Sequence, residues 1–185
     1  MTSLRNFTQI AGGALALLMV GACANVVAES SHGAGHGDEQ KTTHSKKGGH
    51  HDDNPRPYDA TRDAMFDVDA AFGAAQYSGK KVLLILGANW CHDSRGLAAK
   101  FLEPSLAEVL ETNFETVLVD VGQRDRNLDV GARFGVPELF GTPTVLILSA
   151  DGDLLNAETV HDWRTADSKS FDETFAYFSS FATRD

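Results

Sequence analysis

Trp90-Cys91-His92-Asp93-Ser94 follows almost directly on the apolar run Val82-Leu83-Leu84-Ile85-Leu86. The pattern reads as a buried strand, a short loop and a helix that opens at a cysteine. A helix N-terminus carries unpaired N–H donors and partial positive charge, and both favour thiolate over thiol. His92, when protonated, works in the same direction; Asp93 opposes it or simply caps the helix. The spacing is C-x-x-C with Ser94 in place of the second cysteine. A thiolate here can attack a disulfide and leave a mixed disulfide, with no local sulfur to resolve it. The alternative is a buried, inert cysteine.

Two histidine groups are the other candidates for chemistry. His32, His36, His44, His50 and His51 fall in one polar stretch. Neutral imidazoles bind Zn, Cu or Ni, so the stretch is a candidate metal tract, against the plainer reading of a solvated linker. No cysteine accompanies them, and their spacing matches no closed structural zinc site. His161-Asp162-Trp163 is expected in a late loop, where His161 either approaches Cys91 or lies in an exposed turn.

These residues need a scaffold. Residues 59–77 carry Met65, Phe66, Val68, Ala71 and Phe72 at helical spacing, with Gly79 as the stop. A strand follows at 82–87. Residues 94–113 read as one amphipathic helix kinked at Pro104. Residues 114–121 (FETVLVDV) read as a strand buried on both faces. A short helix spans 127–134, and a strand spans 143–149 (PTVLILS). A turn at 150–153 leads to a fourth strand, 154–159. A closing helix spans 167–183, its Phe171, Phe175, Phe178 and Phe181 at core spacing. The order α-β-α-β-α-β-β-α predicts an α/β domain with a central mixed sheet of about four strands flanked by helices.

Charge divides the 185 residues in two. Residues 1–57 hold five basic and five acidic side chains; residues 58–185 hold eleven and twenty-one, so the whole net charge of −10 lies there. Nucleic acid is excluded as a partner on this ground, because phosphate binding needs clustered Lys and Arg. Residues 24–57 are rich in Gly, Ser, His, Lys and Asp and poor in large apolar groups, so they read as a flexible tether. Coil scaling gives such a tether a mean reach of about 30 Å. Before it, Arg5 and the apolar residues 10–20 form an export-type signal too short to span a bilayer. Val20-Gly21-Ala22-Cys23 resembles a bacterial lipobox. That resemblance implies a signal peptide at 1–22, lipidation at Cys23, a tether at 23–57 and a domain at 58–185. Cys91 is then the one free thiol of the mature chain, and no intrachain disulfide can form. Ala24 after the lipidated residue favours the outer membrane, in bacteria that sort by that position.

The element order and three motifs together resemble the thioredoxin superfamily over residues 60–183. One is the strand followed by Trp90-Cys91-x-x-Ser94, with Pro104 further along the helix. Another is Val119-Asp120-Val121 followed by residues 127–136. The third is Gly141-Thr142-Pro143-Thr144 leading into a strand. The resemblance implies a thioredoxin-like fold, Cys91 as nucleophile, Trp90 as the flanking aromatic and Pro143 as a cis-proline. Thr142 would then offer its backbone to a substrate peptide. Two positions depart from the family. Ser94 replaces the resolving cysteine, and Ile85 stands where the family keeps a buried aspartate that assists the resolving thiol.

The expected function is monothiol–disulfide exchange through Cys91, of isomerase, reductase or deglutathionylation type, with Ser94 hydrogen-bonding near the sulfur and His92 beside the substrate. Partners are cysteine-containing proteins or glutathione mixed disulfides, in a cell envelope or periplasm, with a lipid anchor at Cys23. No cofactor is required. Two other readings stand beside it. One is a Cu or Zn module built on the histidine tract, with Cys91 and His92 or His161 as a further site. The other is a redox-inactive binding protein on the same scaffold.

Overall fold

The computed structural model describes residues 54–183. The signal segment, Cys23 and the tract His32, His36, His44, His50 and His51 lie outside the described residues. Helix α1, Ala64–Ser78, starts where the Asp63 side chain accepts from the Phe66 N–H. It ends at Gly79, whose φ of 76° is the left-handed conformation that glycine adopts without a Cβ penalty. Strand β1, Lys81–Gly87, is buried from Val82 onward, as its unbroken apolar run requires.

The expected kinked helix is two helices. Helix α2 is His92–Phe101 and helix α3 is Pro104–Asn113. Pro104 has no N–H to give, and it forces the preceding residue out of helical geometry; Glu103 is extended at φ −64°, ψ 128°. Pro104 thus begins a helix and does not bend one.

Strand β2 is Phe114–Asp120, helix α4 is Leu128–Arg133 and strand β3 is Thr144–Leu148. The sheet order is β2-β1-β3. β1 and β2 run parallel, with Lys81 opposite Phe114 and Gly87 opposite Asp120. β1 and β3 run antiparallel, with Val82 opposite Leu148 and Leu86 opposite Thr144. The sheet is therefore mixed, as expected. β2 is an edge strand, so its middle is only partly covered and Thr116 is exposed; burial on both faces fails for that reason.

The fourth strand expected at 154–159 shrinks to a single bridge between Leu148 and Leu154. Asn156 takes its place. Its Oδ1 accepts from the Ile147 N–H at 2.8 Å, and its Nδ2 donates to the Val145 carbonyl at 2.9 Å. The Leu155 N–H donates to Ile147, and the Val145 N–H donates to Val160. One buried amide and a few main-chain bonds thus satisfy the outer edge of β3, where an open row of donors would invite further strands.

A 3-10 segment, Asp162–Ser168, breaks at Thr165 and precedes helix α5, Phe171–Ala182. Ser170 and Glu173 cap α5 reciprocally. Two cores lie on either face of the sheet. Val82, Leu84 and Leu86 pack with α1 and α4; Leu83 and Ile85 pack with Leu97, Leu106, Leu110, Trp163 and Phe178. Alternation along β1 sends successive side chains to opposite layers, which fixes the loop after Gly87 at the end of a rigid central strand.

Candidate active site

Cys91 is the N-cap of α2, in extended geometry at φ −83°, ψ 118°, with no side-chain capping bond. Its N–H donates to the Ala88 carbonyl, and its own carbonyl accepts from Arg95. The sulfur therefore sits at the free N–H end of a ten-residue helix, as expected. It is not openly exposed: the residue is 9% accessible. Its thiol donates to the carbonyl oxygen of Thr142 at 3.2 Å. The Thr142–Pro143 peptide is cis. Thr142 and Pro143 are both buried, at the entry to β3. β1, α2 and β3 thus bring Cys91, Thr142 and Pro143 together.

The flanking residues are placed less uniformly. Trp90 is half-exposed, its indole N–H donating to the Gly122 carbonyl at 2.6 Å, with Arg124 5.9 Å above the ring. Ser94 is fully buried, one turn along from Cys91, and its hydroxyl makes no hydrogen bond. His92 is largely exposed and turned to carboxylates, with Nε2 3.2 Å from Asp167 and Nδ1 3.5 Å from Asp93. Asp93 does not cap its helix. Its Oδ1 accepts from the Asp167 N–H at 3.0 Å and ties α2 to the 3-10 segment.

His161 does not reach the thiol by a hydrogen bond. Its Nδ1 lies 3.5 Å from the Thr144 hydroxyl, and its ring meets Phe140 edge-on at 4.8 Å. Partial burial lowers its pKa; Arg164 adds to this and Asp162 opposes it. With Phe140 and Val136 it lines a cleft of 310 Å³ beside the loop that leads to Thr142. Among the described residues, no three His, Cys, Asp or Glu side chains form a metal-binding group.

Position 85 holds no carboxylate: Ile85 is buried in the core against Leu97 and Leu106. The structure instead puts polar groups at this end of the sheet that the sequence reading did not single out. Asp120 ends β2 opposite Gly87, is 8% accessible and pairs with Arg126 at 3.4 Å. Tyr58 is 3% accessible, and its hydroxyl donates to the Ser94 carbonyl at 3.5 Å. Residues 54–58 form a strap along the loop. Tyr58 and Asn89 exchange two hydrogen bonds, at 3.1 and 2.6 Å. Arg56 donates to the Asn89 carbonyl at 3.0 Å. The buried Arg95 donates to the carbonyls of Pro55 and Asn54. Gly87 is the signal that points to this strap: a glycine ending an apolar strand marks a close approach. A Cβ there would lie 2.5 Å from the Tyr58 ring.

Comparison with known proteins gives three matches. A family model described as thioredoxin-like matches residues 63–150. The crystal structure of a disulphide isomerase from Xylella fastidiosa Temecula1 is 31% identical; the match covers 69% of this chain and 97% of that one, with a TM-score of 0.65. A protein of unknown function from Pseudomonas aeruginosa is 16% identical over 63% of this chain and 82% of that one, with a TM-score of 0.36, too slight a likeness to argue from. No curated protein matches the chain.

Proposed function

The chain belongs to the thioredoxin-like family, and from that premise we propose that it carries out thiol–disulfide exchange with Cys91 as a single attacking thiol. The observation that supports this most directly is the Cys91 sulfur at a helix N-terminus, 3.2 Å from the Thr142 carbonyl beside a cis-proline. An extended peptide pairing with the backbone of residue 142 lies alongside that sulfur. The similarity to a disulphide isomerase agrees with exchange of this kind.

The reaction balances without a cofactor. The Cys91 thiolate attacks R–S–S–R′, forms Cys91–S–S–R and expels R′–S⁻. Ser94 cannot expel R–S⁻ in turn, because a hydroxyl is no substitute for a thiolate here. An incoming thiolate R″–S⁻ attacks the R sulfur, forms R–S–S–R″ and returns Cys91 as thiolate. When R″ belongs to the substrate, the net change is isomerisation; when it is a small thiol, the substrate's mixed disulfide is resolved. The sequence further supports an envelope location, with a lipid anchor at Cys23 and the histidine-bearing tether between anchor and domain.

The test is capture in cells. With no resolving thiol, the wild-type chain should carry disulfide-linked partners that non-reducing gels separate and mass spectrometry identifies. Cys91→Ser should carry none. A Cys91 that is always free and inert to alkylation at neutral pH would sink the reading.

A further inference from the structure

The arginines of the described residues divide into two groups. Arg62, Arg126 and Arg133 each pair with an aspartate. Arg95 is buried against the strap carbonyls, and Arg164 holds the carbonyl of His161. Arg56 and Arg124 differ from these. Both are exposed, and among the described residues neither has a carboxylate partner. Both instead sit on the two residues that precede Cys91: Arg56 donates to the Asn89 carbonyl at 3.0 Å, and Arg124 lies over the Trp90 ring.

The backbone goes out of its way to put Arg124 there. Its φ is 67°, a left-handed conformation that residues with side chains seldom adopt. A turn fixes it, with its N–H donating to the Val121 carbonyl at 2.8 Å. The Gly122 carbonyl in the same turn accepts from the Trp90 indole at 2.6 Å. The guanidinium is thus held on the ring that flanks the thiol.

We propose that Arg124 and Arg56 form a carboxylate-binding pair beside Cys91, so that the favoured substrate is a peptide disulfide with an acidic side chain next to its cysteine. The inference rests on Cys91 being the exchanging thiol. Arginine suits this role because its planar fork matches a carboxylate, and stacking on an aromatic face leaves its edge donors free. Consecutive Cα atoms lie about 3.8 Å apart, so residues flanking a substrate cysteine on Cys91 come within side-chain reach of the pair.

The nearby acids are already engaged. Asp120 pairs with Arg126, and Asp125 accepts from the Gln123 N–H. Asp59 accepts from Thr61. Asp93 and Asp167 face His92 on the α2 side. The sign of the expected preference is therefore informative. A chain of net charge −10 repels an acidic peptide as a whole, and only cations local to the thiol reverse that.

The test uses acetylated, amidated tripeptides with Glu, or with Gln, on both sides of a cysteine activated as its 2-pyridyl disulfide. The Cys91 thiolate attacks the peptide sulfur, forms Cys91–S–S–peptide and expels pyridine-2-thiolate, which takes a proton from solvent. Mass spectrometry of the Cys91 peptide reads the adduct in the full chain, so Cys23 does not contribute. For wild type at low salt the Glu peptide should react about fivefold faster than the Gln peptide. Arg56→Gln and Arg124→Asn should each cut that ratio at least about twofold, and the double variant should bring it to about one or below. Asn tolerates the left-handed backbone, so the turn survives. Equal rates for the two peptides in wild type, or one ratio shared by wild type and the double variant, overturn the proposal. Glutathione 2-pyridyl disulfide carries the same carboxylate chemistry on a small thiol; dependence on the arginines there alone would overturn the peptide assignment. The neutral 2,2′-dithiodipyridine should react equally with every variant, and a loss there matching the loss on the Glu peptide would also overturn it. A Cys91 inert to all of these disulfides sinks the proposed function as well; a Cys91 that reacts without discrimination sinks this inference alone.

Discussion

The thiol of Cys91 donates to the carbonyl oxygen of Thr142 at 3.2 Å, across the 51 residues that separate them in sequence. The acceptor is main chain, so no substitution at 142 abolishes it directly. The sulfur itself, and the residue one turn beyond it, are the points at which the chemistry can be altered.

Ser94→Cys is the informative substitution. It places a second sulfur one helical turn from Cys91, at a fully buried position. The variant should form an internal disulfide on oxidation, two mass units lighter than the dithiol. Its mixed disulfides should turn over, so disulfide-linked partners should fall at least about tenfold against wild type on non-reducing gels, a difference of about 1.4 kcal/mol between the two fates. Equal adduct levels in the two proteins would mean that Ser94 is not what stalls the exchange.

Gly87→Ala tests the seat of Tyr58. The added methyl would lie 2.5 to 2.7 Å from three atoms of the Tyr58 side chain. The ring cannot withdraw freely, because Asn89 holds its backbone on both sides. Overpacking of this kind costs about 1–3 kcal/mol. Urea unfolding should show that loss, together with faster proteolysis of residues 54–58; an unchanged midpoint would contradict the close approach.

Asn156→Ala removes the amide that stands in for a strand. It leaves the Ile147 N–H and the Val145 carbonyl without the partners they have now. Buried groups left unpaired cost about 1–3 kcal/mol each, so a loss of about 2–4 kcal/mol is expected. Calorimetry or denaturant unfolding reads it directly, and a loss under about 1 kcal/mol would show that water or a neighbouring chain takes over the edge.

Much of this arrangement was legible in the sequence. The run 82–86 reads as a buried strand and Cys91 as the start of the helix after it, and both are where the structure has them. The other wall of the site, Thr142-Pro143 before a second apolar run, comes only through the resemblance to the thioredoxin superfamily. Two errors share one cause. Local pattern predicts a strand after Leu154 and a β2 buried on both faces, but the sheet order decides both: β2 is an edge, and the far edge of β3 is closed by Asn156. A buried asparagine in a stretch of mixed polarity carries no periodic signal. Tyr58 carries no local signal for a related reason. It follows a polar, proline-containing stretch, and only Gly87, 29 residues later, hints that an aromatic ring arrives from outside the strand.

His161 gives the fold a dependence on pH whose sign is fixed. Its pKa is lowered, by burial first and by Arg164 next. The unfolded chain takes up a proton there from about pH 6.5 downward, while the folded chain resists. The stability tied to the neutral ring is therefore whole above about pH 6.5 and lost as pH falls through the lowered folded value. His161→Gln has no proton to gain. Its stability should fall less than that of wild type as pH drops from about 7.5 to 5, so the difference between the two narrows, or reverses in favour of the variant. Urea midpoints across that range measure it, and His92→Gln run alongside separates this ring from the exposed one on α2. Parallel curves for wild type and His161→Gln would place the His161 ring in solvent, away from Phe140 and Thr144.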